Sequence, residues 1–281
     1  MESPYPVAPP QPLPSAFPYQ GSKRRLAAQI AALFPQPIAV LYEPFGGSAA
    51  MSLFALERGL CQRVVIGESL AELAQLWQRI LADPEELADH YQALWPDPAA
   101  YNRVRARFNA QRDPADLLYL LMRCVKAAVR FDRSGNFNQS ADVRRVGRKP
   151  QALRRDLQRV AALLRGRAEV RHGDWRETLN QANSTDFVYL DPPWHGTSSG
   201  EDPRYHQGLH PQALTDGLAD LRHRGIRFAL SYDGTRGDHS FTQSFPDSLR
   251  LQHHLIDAGL SSQATLLGRR EVTLESLYLA L

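Results

Sequence analysis

Asp186-Phe187-Val188-Tyr189-Leu190 runs straight into Asp191-Pro192-Pro193-Trp194. A short β-prone apolar run predicts a buried strand, and the two prolines end it abruptly. Proline fixes φ and carries no backbone donor, so the loop is held rigid and its carbonyls remain free acceptors. At the carboxyl end of a parallel strand, such a loop sits where open α/β sheets bind their ligands. The fold this anticipates is an open α/β sheet, with the loop at its working edge.

Each part of the loop suits methyl transfer to an exocyclic amine. The amino nitrogen of adenine is conjugated into its ring, is a poor nucleophile and carries two N–H donors. The Asp191 carboxylate and the Pro192 carbonyl beside it can accept both, drawing the nitrogen toward tetrahedral geometry. Trp194 offers a flat face for a base turned out of its stack. A strand followed by a Pro-Pro turn and a core Trp uses the same four residues, so the rest of the chain has to decide.

The 281 residues, 43% of them hydrophobic, suffice for one large domain or a domain with an insert. No run approaches the ~20 apolar residues of a membrane span. Residues 1–16 are proline-rich, lack the order of a signal peptide, and are expected to form a disordered tail. Cys61 and Cys124 share no metal-binding spacing, which points to small core residues in a reduced, cytoplasmic protein without zinc. Net charge is +3, yet residues 123–171 hold 14 Lys/Arg against 4 Asp/Glu. A basic middle in an otherwise acidic chain fits contact with a polyanion, although a solvated helical face has the same composition.

Along the chain, Tyr19-Gln20-Gly21-Ser22-Lys23 precedes helical spacing at Leu26, Ile30, Leu33 and Phe34. Val40-Leu41-Tyr42 leads into Glu43-Pro44-Phe45-Gly46-Gly47-Ser48 and then an Ala/Leu-rich helix over 49–57. Glycines at a strand-to-helix turn let backbone approach a ligand. A second strand over 63–67 ends at Glu68, placed either to meet a ribose or to charge a helix N-terminus. Helical spacing then dominates 71–167, with helices over 73–81, 87–94, 101–108, 115–129 and 150–164. Residues 131–149, rich in Gly, Asn and Ser, predict a loop or hairpin carrying Arg133, Arg144, Arg145, Arg148 and Lys149. The α/β rhythm resumes at 169–175, with a helix over 211–222, a strand over 226–231 ending in a Tyr232-Asp233-Gly234 turn, and strands near 249–256 and 274–279.

In order and in kind these motifs resemble the Dam-like (class α, D12 type) DNA adenine N6-methyltransferases, over nearly the whole chain from Phe17 onward. Asp191-Pro192-Pro193-Trp194 looks like that family's catalytic motif, Tyr19–Lys23 its aromatic-x-Gly-Gly-Lys opening and Glu43–Ser48 its E-P-F-x-G-x-G cofactor loop. Gly173-Asp174-Trp175 is similar to its G-D-F element, and Gly135-Asn136-Phe137-Asn138 to the G-x-F-N stretch of its recognition hairpin. Four places depart from the pattern: Ser22, Ser48-Ala49, Leu70 and Gln139-Ser140.

The resemblance implies a Rossmann-like catalytic domain (17–70 and 168–281) with a mostly helical DNA target-recognition domain inserted at 71–167. It implies direct transfer from S-adenosylmethionine to adenine in double-stranded DNA without a metal, in the nucleoid of a prokaryote or in a phage system, in some cases beside a restriction endonuclease. The cofactor residues it implies are Tyr19, Gly21, Lys23 (for the carboxylate), Glu43, Pro44, Phe45, Gly46, Gly47, Glu68, Asp174 (for the adenine), Trp175 and Asp191. The DNA contacts are Arg130, Arg133, Asn136, Asn138, Arg144, Arg145, Arg148 and Lys149. His195 is expected to be a loop histidine, and Tyr205 and His206, after the Gly/Ser-rich 196–200, to close over the base. Two other classes stay in view: an amino-methyltransferase acting on RNA, and a non-catalytic nucleic-acid-binding protein of the same fold.

Overall fold

The structure, a computed structural model, describes residues 13–97, 99–193, 209–236, 239–240, 244–260 and 272–281. A 3-10 turn (Lys23–Arg25) and helix α1 (Ala27–Ala31) lead into β1 (Ile38–Glu43), α2 (Ala50–Glu57) and β2 (Cys61–Glu68). Five helices follow: α3 (Ala71–Ala82), α4 (Pro84–Leu94), α5 (Ala100–Gln111), α6 (Pro114–Arg123) and α7 (Pro150–Leu164). Then come β3 (Ala168–His172), α8 (Trp175–Thr178), β4 (Phe187–Leu190), α9 (Pro211–His223), β5 (Arg227–Arg236), β6 (His239–Ser240), β7 (Gln252–Leu260) and β8 (Val272–Ala280).

Among the described residues these strands form one sheet in the order β3-β2-β1-β4-β5-β8-β7, with β6 paired to β5. The first five are parallel, and β8 lies antiparallel between β5 and β7. The chain runs outward from β1 through β2 to β3, then returns to the other side of β1 for β4 and β5. The order therefore reverses between β1 and β4, and a crevice opens there beyond the carboxyl ends.

Both faces of the sheet are apolar because side chains alternate along each strand. Leu41, Val64, Ile66, Phe187, Tyr189, Ala229 and Leu277 face one core, shared with α1, α2, α3 and α7. Tyr42, Val65, Val188, Leu190, Phe228, Leu230 and Tyr278 face the other, covered by α8 and by Leu214, Leu218 and Leu221 of α9. The doubly wound α/β class anticipated from the sequence is the one observed. No helix among the described residues is long and apolar enough to cross a membrane.

Among the described residues of the helical excursion 71–167, Leu73, Trp77, Leu87, Tyr91, Phe108, Leu118, Leu157 and Leu164 join the same buried cluster as the sheet. The reason is that α3 packs on β2 and β3, and α7 on α2, as crossover helices do. The helix foreseen over 115–129 stops at Arg123, because the next backbone groups pair elsewhere. Val125 N donates to Ser140 O, and Gln20 N donates to Ala127 O. Tyr232-Asp233-Gly234 is a bulge rather than a turn: β5 continues to Arg236, with its register to β8 shifting between Ser231 and Gly234 and Asp233 at φ 56°. Residues 13–16, foreseen as part of the tail, are held by the fold. Ala16 is buried, Arg148 donates to Ser15 O, and Arg24 donates to Leu13 O. Residues 1–12 lie outside the described residues.

Candidate active site

Four segments meet at the carboxyl edge beside the β1/β4 crevice. The first is the turn after β1. Its helix α2 begins at Ala49 (φ 49°) without a side-chain cap. The carboxylate of Glu43, 4% exposed at the end of β1, takes that part by accepting from Met51 N at 3.4 Å and Ser52 N at 2.8 Å. Glu43, expected at the cofactor, is thus turned into the protein and builds the loop. Burial pushes its carboxyl up to about 7, against the pull of these N–H groups.

The glycine turn itself is tightly held. Gly46 N donates to Gly67 O, and a Cβ on Gly46 would sit 2.6 Å from Ile66 Cγ2. Gly47 has φ 47°, lies under the Tyr19 ring, and its carbonyl accepts from Trp77 Nε1 at 2.9 Å. Glu68, at the end of β2, accepts from Gly47 N (3.1 Å) and Leu70 N (2.9 Å), and burial raises its pKa. One oxygen therefore ties β2 to the glycine turn, and the other holds the residue that opens α3.

The second segment is the opening loop. Ser48 Oγ donates to Ser22 Oγ at 2.7 Å, so two of the positions that depart from the family pattern contact each other. Lys23 is buried (7% exposed), and its ammonium lies 2.8 Å from Asp191 Oδ1 and 3.7 Å from Glu275 Oε2. It also donates to Gly21 O at 3.3 Å. Burial works to lower the Lys23 pKa, but the two carboxylates outweigh it and the net shift is upward. The lysine expected at a cofactor carboxylate is committed to protein carboxylates.

The third segment is the end of β4. Asp191 follows Leu190, its carboxyl raised by burial and opposed by Lys23. Pro192 is buried and Pro193 exposed. Beneath them Tyr189 Oη and Ser231 Oγ are 2.8 Å apart. Trp194, His195, the 196–200 stretch, Tyr205 and His206 lie outside the described residues. Glu275, on β8, was not singled out from the sequence. No local motif marks it, and only the pairing of β8 with β5 brings it here.

The fourth segment follows β3. Asp174 caps α8 through Arg176 N and pairs with the Arg176 guanidinium, which lowers its pKa. The Trp175 ring is buried, stacked on Phe45 at 5.6 Å and pressed against Gly217 of α9. That ring is core, so only its backbone remains for a ligand.

Away from the edge, residues 131–149 fold back as a hairpin-like excursion with isolated bridges Phe131–Phe137 and Cys124–Ala141. Asn109 clamps it from α5, with Oδ1 accepting from Phe137 N at 2.7 Å and Nδ2 donating to Phe137 O at 3.2 Å. Gln139, a departure from the pattern, donates to Val125 O at 2.8 Å. Arg133, Asn138, Arg144 and Lys149 are exposed, whereas Arg130, Asn136 and Arg145 are half-buried. Arg144 and Arg145 lie within ion-pair reach of Asp142. Arg148 is occupied by Asp156 at 2.7 Å and by Ser15 O.

An acid just after β4, a glycine turn after the neighbouring β1, an acid at the end of β2 and another after β3 match a known pattern. Residues 19–258 fit the model of the D12 class N6 adenine-specific DNA methyltransferase family. The chain belongs to that family. It is an adenine-specific DNA methyltransferase, and methyltransferases of this kind draw in general on S-adenosylmethionine. Among similar proteins is the retron Ec67 DNA adenine methylase of Escherichia coli, 26% identical over 78% of this chain and 75% of its own length. The type II methyltransferase M1.LlaDCHI of Lactococcus lactis subsp. cremoris is 23% identical over 76% of this chain and 78% of its own. The DNA N-6-adenine-methyltransferase of Escherichia phage P1 is 25% identical over 78% of this chain and 30% of its own. Neither the RNA reading nor the non-catalytic one is favoured by these matches.

Proposed function

We propose that this adenine-specific DNA methyltransferase acts on an adenine turned out of duplex DNA into the crevice between β1 and β4. The observation that carries this reading is the adjacency of those two strands. It sets the Asp191-Pro192 acceptors beside the glycine turn at the point where the sheet order reverses. Asp191 Oδ1 is held by Lys23, and its second oxygen and the Pro192 carbonyl accept the two N–H donors of the amine.

The residues fit S-adenosylmethionine as donor: bare backbone at Gly46 and Gly47, and carboxylates at the ends of β2 and β3, suit a ribose and a purine. When bound it supplies a methyl group on a sulfonium. The chain's own contribution is alignment of the nitrogen and exclusion of water. Tyr19, over Gly47, closes one wall of that region, and Asp174 with the backbone of Trp175 forms the other. Arg133, Asn138, Arg144 and Lys149, on the exposed side of the 131–149 excursion, meet the DNA. Arg148, being engaged, belongs to the scaffold. We assign target recognition to this helical excursion and leave any restriction partner to a separate polypeptide.

The test is transfer of a tritiated methyl group to duplex DNA. Asp191→Ala should abolish it while S-adenosylhomocysteine binds, by calorimetry, within a few-fold of the native affinity. Residual transfer with lost cofactor binding would reverse the assignment.

A further inference from the structure

Asp191 is not the only carboxylate at the Lys23 ammonium. Glu275 reaches it from β8, on the far side of β5, and is 19% exposed. Its Oε2 is buried and accepts no hydrogen bond among the described residues, so the ammonium 3.7 Å away is the cation that compensates it. One buried cation thus serves two carboxylates, and the group carries a net negative charge. With one partner removed, a buried ion pair changes character: the ammonium would belong to Asp191 alone and the pair would be neutral.

We propose that Glu275 is a positioning residue for methyl transfer, sharing the Lys23 ammonium with Asp191 so that the charge of the ionised Asp191 is not cancelled by an ammonium of its own and the carboxylate keeps its strength as an acceptor for the target amine. The inference rests on the functional reading above. As the amine's lone pair forms the new N–C bond, the C–S bond breaks with its electrons remaining on sulfur. The nitrogen gains positive charge until it releases a proton to water. A carboxylate neutralised by a private ammonium stabilises that charge poorly, whereas a trio of charge −1 stabilises it well. Among the described residues, the titratable groups facing Asp191 are Lys23 from the opening loop, Glu43 from β1, Tyr189 from β4 and Glu275 from β8. Of these, Glu275 is the one that meets the same ammonium as Asp191.

The experiment compares Glu275→Gln and Glu275→Asp in the full chain. In single-turnover methyl transfer, Glu275→Gln should lower the rate on the order of tenfold. The acid limb of its pH profile should move to lower pH by roughly one unit, because Asp191 loses a like-charged neighbour. Affinity for S-adenosylhomocysteine and KM for DNA should hold, and Glu275→Asp should restore the limb. A second readout needs no turnover. The chain has three lysines, Lys23, Lys126 and Lys149, so nitrogen-15 NMR of labelled lysine can follow each ammonium. In Glu275→Gln the Lys23 signal should titrate at lower pH while the other two stay put. A native rate and profile, a uniform loss at all pH with the limb in place, or an unmoved Lys23 titration would each overturn the proposal. Absence of transfer by the native chain would instead sink the functional reading, and the Lys23 titration would still decide whether the ammonium is shared.

Discussion

At the scale of single residues, two serines at places that depart from the family pattern illustrate how a departure is absorbed. Ser22 caps the 3-10 turn that carries Lys23, and its hydroxyl receives that of Ser48. Their hydrogen bond joins the loop that places the lysine to the turn that lines the crevice. A net hydrogen bond of this kind contributes roughly 0.5–1.5 kcal/mol. A double-mutant cycle of Ser22→Ala and Ser48→Ala, read by urea unfolding, should therefore show coupling of that size. Strict additivity would mean that the hydroxyls do not cooperate in solution. Such a pair was invisible in the sequence, where each serine counted separately as a departure from the pattern. Asp191 was legible because strand, acid and prolines are contiguous. Glu275 was not, because its role is created by strand order alone.

At the scale of elements, legibility followed the caps. α7 was foreseen at its observed bounds, since Pro150 opens it and Leu153, Leu157, Val160 and Leu164 keep one face buried. α6 was drawn too long because apolar spacing continues past Arg123, while the backbone there has already turned to pair with the hairpin. That hairpin depends on an amide from another element. Asn109 satisfies both backbone groups of Phe137, whose ring is buried against Phe108. Asn109→Ala leaves a buried N–H and C=O without their partner and should destabilise the fold by about 1–3 kcal/mol. The amide of Phe137 should lose protection in hydrogen exchange ahead of the sheet. Equal loss of protection in β1 and β4 would show that the excursion does not open on its own.

At the scale of the whole molecule, the carboxyl of Glu43 links folding to pH. Buried and pushed up to about 7, it holds a proton in the folded chain that the unfolded chain, with an ordinary carboxyl, has already released. Folding therefore takes up a proton between those two values, and stability contributed at low pH is lost as pH rises toward 7. Glu43→Gln cannot ionise and keeps an oxygen for Ser52 N. Its melting temperature should fall less than that of the native chain between about pH 5 and pH 7.5. Parallel curves would place the linkage elsewhere. The uneven charge noted in the sequence is likewise resolved at this scale. Arg148, Arg154, Arg159 and Arg171 of the basic stretch are paired with acids, whereas Arg133, Arg144 and Lys149 of the 131–149 excursion are exposed, as are Lys126, Arg155 and Arg165. The sequence count could not show the pairing of Arg154 and Arg159, since Glu85, Asp89 and Glu57 come from distant segments.

The Ser22–Ser48 contact also bears on inheritance. The two positions lie on either side of β1, so a recombination event with a relative that lacks both serines can part them. A chimera joined between residues 22 and 48 receives one serine without the other and loses the contact, whereas one joined outside that interval keeps the two positions from one parent. The two serines therefore behave as one heritable character, and libraries shuffled from this chain and such relatives should retain activity more often when the crossover spares the interval.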